Sequence, residues 1–132
     1  MERPRIIIDK STERAVHELL KSKAESKIYL FLLRKSGAKS EQIIKGTKLH
    51  PSTVRESLVK MHQQRLIYRE KLRNDSIGKN PFFYKAVSPI QLVQRKAREM
   101  ENRLNKLANL AKKQEGGDKY VKIRIYKREE NA

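Results

Sequence analysis

The chain has 132 residues, and its 32 Lys and Arg against 15 Asp and Glu give a formal net charge of +17. That length suits one domain with a modest core and an appended helix. Cysteine is absent, which excludes disulfides, thiolate catalysis and cysteine zinc sites. So much like charge repels itself in a compact state, so the composition points to a polyanionic partner, nucleic acid ahead of a membrane surface. No apolar run of about 18 residues occurs, and the charged start MERPRIIIDK lacks a signal-peptide core. The chain therefore reads as a soluble protein of the cytoplasm, associated with the nucleoid.

Arg5 to Asp9 carries three consecutive isoleucines, too short for a helix and fit for a short strand or an arm. From Ser11 or Thr12 to about Lys21, Ala15, Val16, Leu19 and Leu20 form one helical stripe. Lys23 to Lys35 follows, with Ser22 and Glu25 at capping-box spacing. Its Ile28, Tyr29, Phe31, Leu32 and Leu33 surround the axis, so it is expected to be the central buried helix, ended by Ser36-Gly37. Ser40 is placed to cap a short helix from Glu41 to about Thr47, with Ile43 and Ile44 inward. A turn over 48–51 leads to a helix from Ser52 to Gln64. Leu66 to Leu72 and Phe82 to Val87 are rich in aromatic and branched residues around the loop RNDSIGKNP, which predicts a β-hairpin. Ser88-Pro89-Ile90-Gln91 joins a cap, a first-turn proline and a capping-box glutamine, a helix start expected to run to about Gln114. Gly116-Gly117 stops it, and the alternation in YVKIRIYK predicts a half-buried strand over 120–127, whose edge is free to pair with Ile6 to Ile8 within or between subunits.

Two helices separated by a short turn and followed by a hairpin make a winged helix-turn-helix. The fold class is thus mainly α with a small β component. It divides into a DNA-binding domain with an N-terminal arm over 1–88 and a long dimerisation helix with a terminal strand over 89–132. In HPSTVRESLVK, Val54 and Leu58 continue to Met61 as an inner side. Ser52, Thr53, Arg55, Glu56, Lys60 and Gln63 then lie outside or on the flanks. Such a helix fits the major groove, where Arg grips guanine, Gln reads adenine and small hydroxyls adapt to either. Glu56 serves there only by accepting from cytosine or orienting Arg, and it is also spaced for an ion pair with Lys60. Lys39 and Ser40 are candidate backbone clamps, and Arg73 and Lys79 in the hairpin loop reach for phosphate or the minor groove. Segment 38–88 carries 11 basic and 4 acidic residues and 89–114 carries 7 and 2, so charge supports DNA contact without locating it.

From Lys21 to about Leu110 the chain resembles the archaeal TrmB-like transcriptional regulators. The resemblance rests on KAESKIYLFLLRKSGAKSEQI, LHPSTVRESLVKMHQQRLIY and GKNPFFYKAVSPIQL, and YKAVSP is its most particular element. It implies a winged-helix DNA-binding domain, usually dimeric, that represses or activates promoters. It also aligns Ser52, Thr53 and Arg55 with the start of the recognition helix and Lys79 with a wing position that often has Arg. Lys48 and Arg65 stand where the family usually has Gly, which puts left-handed backbone on a lysine at the turn, unless Gly46 shifts the helix end. The wing Gly-Lys-Asn-Pro is one residue longer than the family's. The sugar-binding effector domain of longer members is absent from these residues, so no carbohydrate ligand is carried over.

Ile90, Val93, Ala97, Met100, Leu104, Leu107 and Ala111 alternate spacings of three and four, a coiled-coil seam that points to a homodimer of undetermined helix orientation. The competing reading packs the stripe on its own domain, against Ala15 to Leu20. The only histidines, His17, His50 and His62, have no Cys or carboxylate cluster, so no metal site is expected. Five glycines form neither a Walker loop nor a dinucleotide fingerprint, and no nucleophile, base and orienting acid stand together. Neither an enzyme nor a cofactor is expected. The expected function is sequence-specific binding of double-stranded DNA by a dimeric regulator; the alternatives are a sequence-tolerant protein that coats chromatin or RNA, and a protein-docking winged helix.

Overall fold

The computed structural model describes residues 7–72, 82–115 and 122–126. The chain divides into two compact units, Met1–Val87 and Ser88–Ala132. In the first, α1 (Lys10–Leu20) starts slightly before the hydroxyls at 11 and 12, because Asp9 is the cap. Its carboxylate accepts the Thr12 N–H at 2.8 Å, which holds the Asp9 carboxyl below its ordinary pKa. That cap is present above the usual carboxylate range and is lost as pH falls through the lowered value. Ile7 and Ile8 lie in no strand; the rest of the proposed arm lies outside the described residues.

Helix α2 (Lys23–Lys35) opens at the expected cap, with the Ser22 hydroxyl accepting the Glu25 N–H at 3.2 Å. The box is half made, because Glu25 Oε1 is buried without a hydrogen bond. Ile28, Tyr29 and Leu32 on it are sealed, none more than 1% exposed, and Leu30 is buried as well. Ser36 closes the helix in left-handed backbone, and the Gly37 N–H donates to the Leu32 carbonyl at 3.1 Å. Gly37 is required twice over: its φ is +114°, and a Cβ there would run into the Phe83 ring.

After Gly37 the chain makes a short strand that the sequence pattern does not announce, β1 (Ala38–Lys39). It pairs antiparallel with β3 (Phe82–Ala86), which also pairs antiparallel with β2 (Ile67–Lys71), giving the order β1-β3-β2. Between them come α3 (Ser40–Thr47) and α4 (Pro51–Gln63). Ser40 is not the cap of α3; it is the first helical residue and is buried. Lys39 takes the cap position, and since an ammonium has no acceptor, the Gln42 side chain reaches back to accept the Lys39 N–H at 2.9 Å. Ile43 from α3, Val54, Leu58 and Met61 from α4, and Leu66, Ile67, Tyr84 and Val87 from the hairpin complete the core around α2.

One polar contact ties that core together. The Tyr29 hydroxyl donates to the Val87 carbonyl at 2.8 Å, and the Val87 N–H donates to the Leu66 carbonyl at 3.0 Å. The central helix is thus fixed to both ends of the hairpin.

In the second unit the Ser88 hydroxyl accepts the Gln91 N–H at 3.3 Å and opens α5 (Pro89–Glu115), 27 residues or about 40 Å long. Residues 122–126 form no ladder among the described residues, although a strand was expected over 120–127. Three of their backbone groups go to side chains of the helix instead. The Asn105 carboxamide donates to the Ile123 carbonyl at 3.1 Å and accepts its N–H at 2.6 Å, while Glu101 accepts the Ile125 N–H at 2.6 Å. A side-chain amide offers the same donor and acceptor pair as a neighbouring strand, so the segment docks without one.

Replacing Tyr29 with Phe removes a buried donor and keeps the ring. Tyr29→Phe is expected to cost about 1–2 kcal/mol of stability, read as a lowered urea midpoint at unchanged slope.

Candidate nucleic-acid interface

The turn between α3 and α4 sets the geometry of the candidate surface. Lys48 lies at φ 60°, ψ 21°, and its N–H donates to the Ile44 carbonyl at 3.0 Å. The left-handed position therefore falls on Lys48, and Gly46 stays within the helix. Arg65, before the hairpin, is left-handed as well, at φ 59°.

Helix α4 begins one residue before the expected Ser52, with Pro51 in its first turn and His50 as cap. His50 Nδ1 accepts the Ser52 N–H at 3.2 Å and lies 2.7 Å from the Ser52 hydroxyl. A ring nitrogen that accepts the amide also accepts the hydroxyl proton, which leaves the Ser52 oxygen facing out as an acceptor.

With roughly 100° per residue, burial of Val54, Ser57, Leu58 and Met61 leaves the opposite side in solvent. Ser52, Arg55, Glu56, Lys60 and Gln63 are all exposed there, while Thr53 is half-buried. Glu56 and Lys60 make no ion pair with each other. The structure adds Val59, 57% exposed and at the i+7 position from Ser52, in the middle of this strip. Pattern reading passes over it because a valine between Leu58 and Met61 looks like core. Its phase shows otherwise, since Ser52, Glu56, Val59 and Gln63 follow i, i+4, i+7, i+11. An apolar group in that strip suits a thymine methyl.

The flanks are less free. Lys39 is exposed at the start of α3, whereas the buried Ser40 does not join the surface. Arg69 stacks 4.2 Å over the Phe82 ring, and Lys85 pairs with Glu70 at 3.3 Å. Arg73 and Lys79 lie outside the described residues. On α5, Ile90, Val93, Met100, Leu104 and Leu107 are exposed along with Ala111, Ala97 is half-buried, and Leu110, not part of the expected seam, is exposed beside them. Among the described residues no group of His, Asp and Glu is arranged to hold a metal, and no helix is long and apolar enough to cross a membrane.

The profile of the family described as sugar-specific transcriptional regulator TrmB matches residues 22–90, just over half of the chain and the whole of its helix-turn-helix and hairpin. The chain belongs to this family. It is accordingly a DNA-binding transcriptional regulator and not an enzyme. A solved structure described as a possible transcriptional regulator from Methanosarcina mazei Go1 is 21% identical over 86% of this chain and 100% of that one, with a TM-score of 0.67. The ST1889 protein from Sulfolobus tokodaii is 20% identical over 72% of this chain and 96% of its own, with a TM-score of 0.52. Both likenesses concern the fold. No curated protein sequence matches the chain.

Left-handed backbone on Lys48 is tolerable because its side chain is unbranched at Cβ, whereas a β-branched residue clashes there. Lys48→Val is expected to destabilise the fold by about 2 kcal/mol, and Lys48→Gly to change stability by less than about 1 kcal/mol, strain relief offsetting glycine's entropy. Paired urea unfolding curves of the two variants check this.

Proposed function

We propose that this TrmB-family chain is a sequence-specific regulator that acts on double-stranded DNA as a homodimer, with α4 in the major groove and the 73–81 loop on the backbone or in the minor groove. The observation that carries the reading is the outer side of α4, where an exposed strip of short hydroxyl, carboxylate, amide, methyl and guanidinium groups is presented by a helix whose other side is sealed. Arg55 and Gln63 supply the bidentate pairings for guanine and adenine, Ser52 and Glu56 accept from base amines, and Val59 meets a methyl. Lys39, Arg73 and Lys79 supply phosphate contacts, which hold the register without choosing sequence. Such a regulator resides where the DNA is, with the nucleoid.

Support for the dimer comes from α5. Its apolar seam stands in solvent along a helix of about 40 Å, an arrangement that a second copy relieves. Two-fold pairing presents the α4 helices to half-sites about one turn of DNA apart, roughly 34 Å.

Selection of bound fragments from random DNA tests the first claim. A recovered two-fold motif is expected; no enrichment, with equal affinity for any duplex and a steep salt dependence, overturns it in favour of a coating protein, to which the net charge of +17 would lend itself. On the selected site, Arg55→Ala should relax preference at one base pair by about 1–3 kcal/mol. Lys79→Ala should weaken all duplexes alike and lower the salt slope by about one.

A charge in the seam tests the second claim. The double variant Met100→Glu, Leu107→Glu places carboxylates at exposed positions, so the fold should survive. Sedimentation should show a monomer where the parent chain is a dimer; a parent chain that is itself monomeric at every concentration sinks the dimer.

A further inference from the structure

Between α1, α2 and the end of α3 lies a cleft of about 660 Å³, to whose lining α4 contributes nothing. From α1, Lys10, Arg14 and His17 line it at i, i+4, i+7, and from α2 come Lys23, Lys27 and Arg34. The short link through Lys21 and Ser22 folds the two helices back on each other, which brings these stripes to one concavity. Its floor is apolar. Leu30 is buried there, and the Phe31 ring sits so close to Gly46 that a Cβ at that position would overlap it.

Charge in this cleft is one-sided. Glu13 is the only acid in the lining and is paired with Arg34 at 3.5 Å, whereas Lys10, Arg14, Lys23 and Lys27 have no ion-pair partner among the described residues. A solvated helix face normally mixes signs, and like charges gathered in a concavity with low-dielectric walls raise the local potential. An anion relieves that potential. A bare inorganic ion, though, leaves the half-buried Phe31 ring facing water, while a flat apolar body covers it. The volume falls within the range of small-molecule sites and the walls are concave, unlike an open basic ridge that tracks a duplex.

We infer that this cleft binds a small organic anion, a carboxylate or phosphate monoester carried on a flat apolar ring, with Arg14 and Lys27 holding the anion and Phe31 the ring. An occupant touches Gly46 and Thr47, the residues that precede the left-handed Lys48 and the turn into α4. It is therefore the regulator's effector, a consequence that rests on the DNA-reading function proposed above, although binding itself does not.

Calorimetric titration of the full chain without DNA tests the site, using phenyl phosphate, benzoate, inorganic phosphate and phenol as probes. One of the two aromatic anions is expected to bind saturably at one site per chain, and the tighter of them identifies the headgroup. It should bind at least about tenfold more tightly than inorganic phosphate or phenol. Arg14 and Lys27 are exposed, so the Arg14→Gln, Lys27→Gln double variant should fold and lose at least about tenfold of that affinity. Absence of saturable binding by both aromatic anions overturns the proposal, as does equal affinity for inorganic phosphate or unchanged affinity in the double variant. The same variant titrated with a random duplex separates a DNA-backbone contact from a ligand site. An unchanged salt slope supports the ligand site, and a slope lowered by about two makes the cleft a phosphate clamp and overturns it. Anion binding by a chain that shows no preference among duplexes refutes the regulator reading and leaves the cleft's ligand intact.

Discussion

Burial of one side of α4 governs what the other side can do. Val54 and Met61 are fully enclosed and Leu58 nearly so, and their combined transfer into the core contributes several kcal/mol. A helix locked by that much apolar surface cannot rotate to suit a partner, because a slip of one residue turns it by roughly 100° and would expose the valine while burying Arg55 or Glu56. The set of groups offered to solvent is thus decided by packing, before any partner is considered. The same core carries Tyr29, whose hydroxyl ties α2 to the end of the hairpin at Val87. The hairpin and α4 are therefore placed relative to one another through α2, and neither is a free appendage.

What was legible in the sequence follows from how local each cause is. Helix α2 was readable to the residue, since Ser22 caps it, Ser36-Gly37 ends it, and apolar residues on all sides leave only a central position. The left-handed Lys48 was one of two readings the sequence offered, since a lysine stands where the family has glycine, and the structure decides it against a shift of the helix end at Gly46. Ser40 was misjudged. A serine before an apolar pair looks like a cap, but β1 draws residues 38 and 39 into the sheet, moves the helix start to residue 40 and buries the hydroxyl. That pairing joins Ala38 to Tyr84, far apart in sequence, and no local pattern announces it. Val59 was missed for a related reason: hydrophobicity alone assigns it inward, and only the helical phase shows it pointing out.

The segment 122–126 shows that alternation in a sequence does not name a hydrogen-bonding partner. Strict alternation favours a strand, and residues 122–126 join no ladder among the described residues. Pairing, however, depends on which donors and acceptors are nearby, and Asn105 and Glu101 supply them one helical turn apart. Periodicity reports the shape of a backbone, and the hydrogen-bonding partner must be found in three dimensions.

Net charge and the outer side of α4 are differently arranged on this molecule. The positive charge is distributed, with 11 basic and 4 acidic residues in 38–88 and 7 and 2 in 89–114, so long-range attraction to a polyanion draws on both units. The centre of the α4 strip, by contrast, is nearly neutral: Ser52, Glu56, Val59 and Gln63 carry a single charge among them, and it is negative. A surface built only to hold phosphate has no use for that carboxylate, which is repelled by the backbone of any duplex. A surface built to discriminate does, because a group that is costly against most sequences and favourable against one converts repulsion into selectivity. Glu56, on the exposed side of the helix, makes no ion pair among the described residues, so on the proposed reading its cost would be borne at the interface. On the proposed reading, the strip is where sequence preference would reside, and the dispersed lysines and arginines would set how tightly, and at what salt concentration, that preference is expressed.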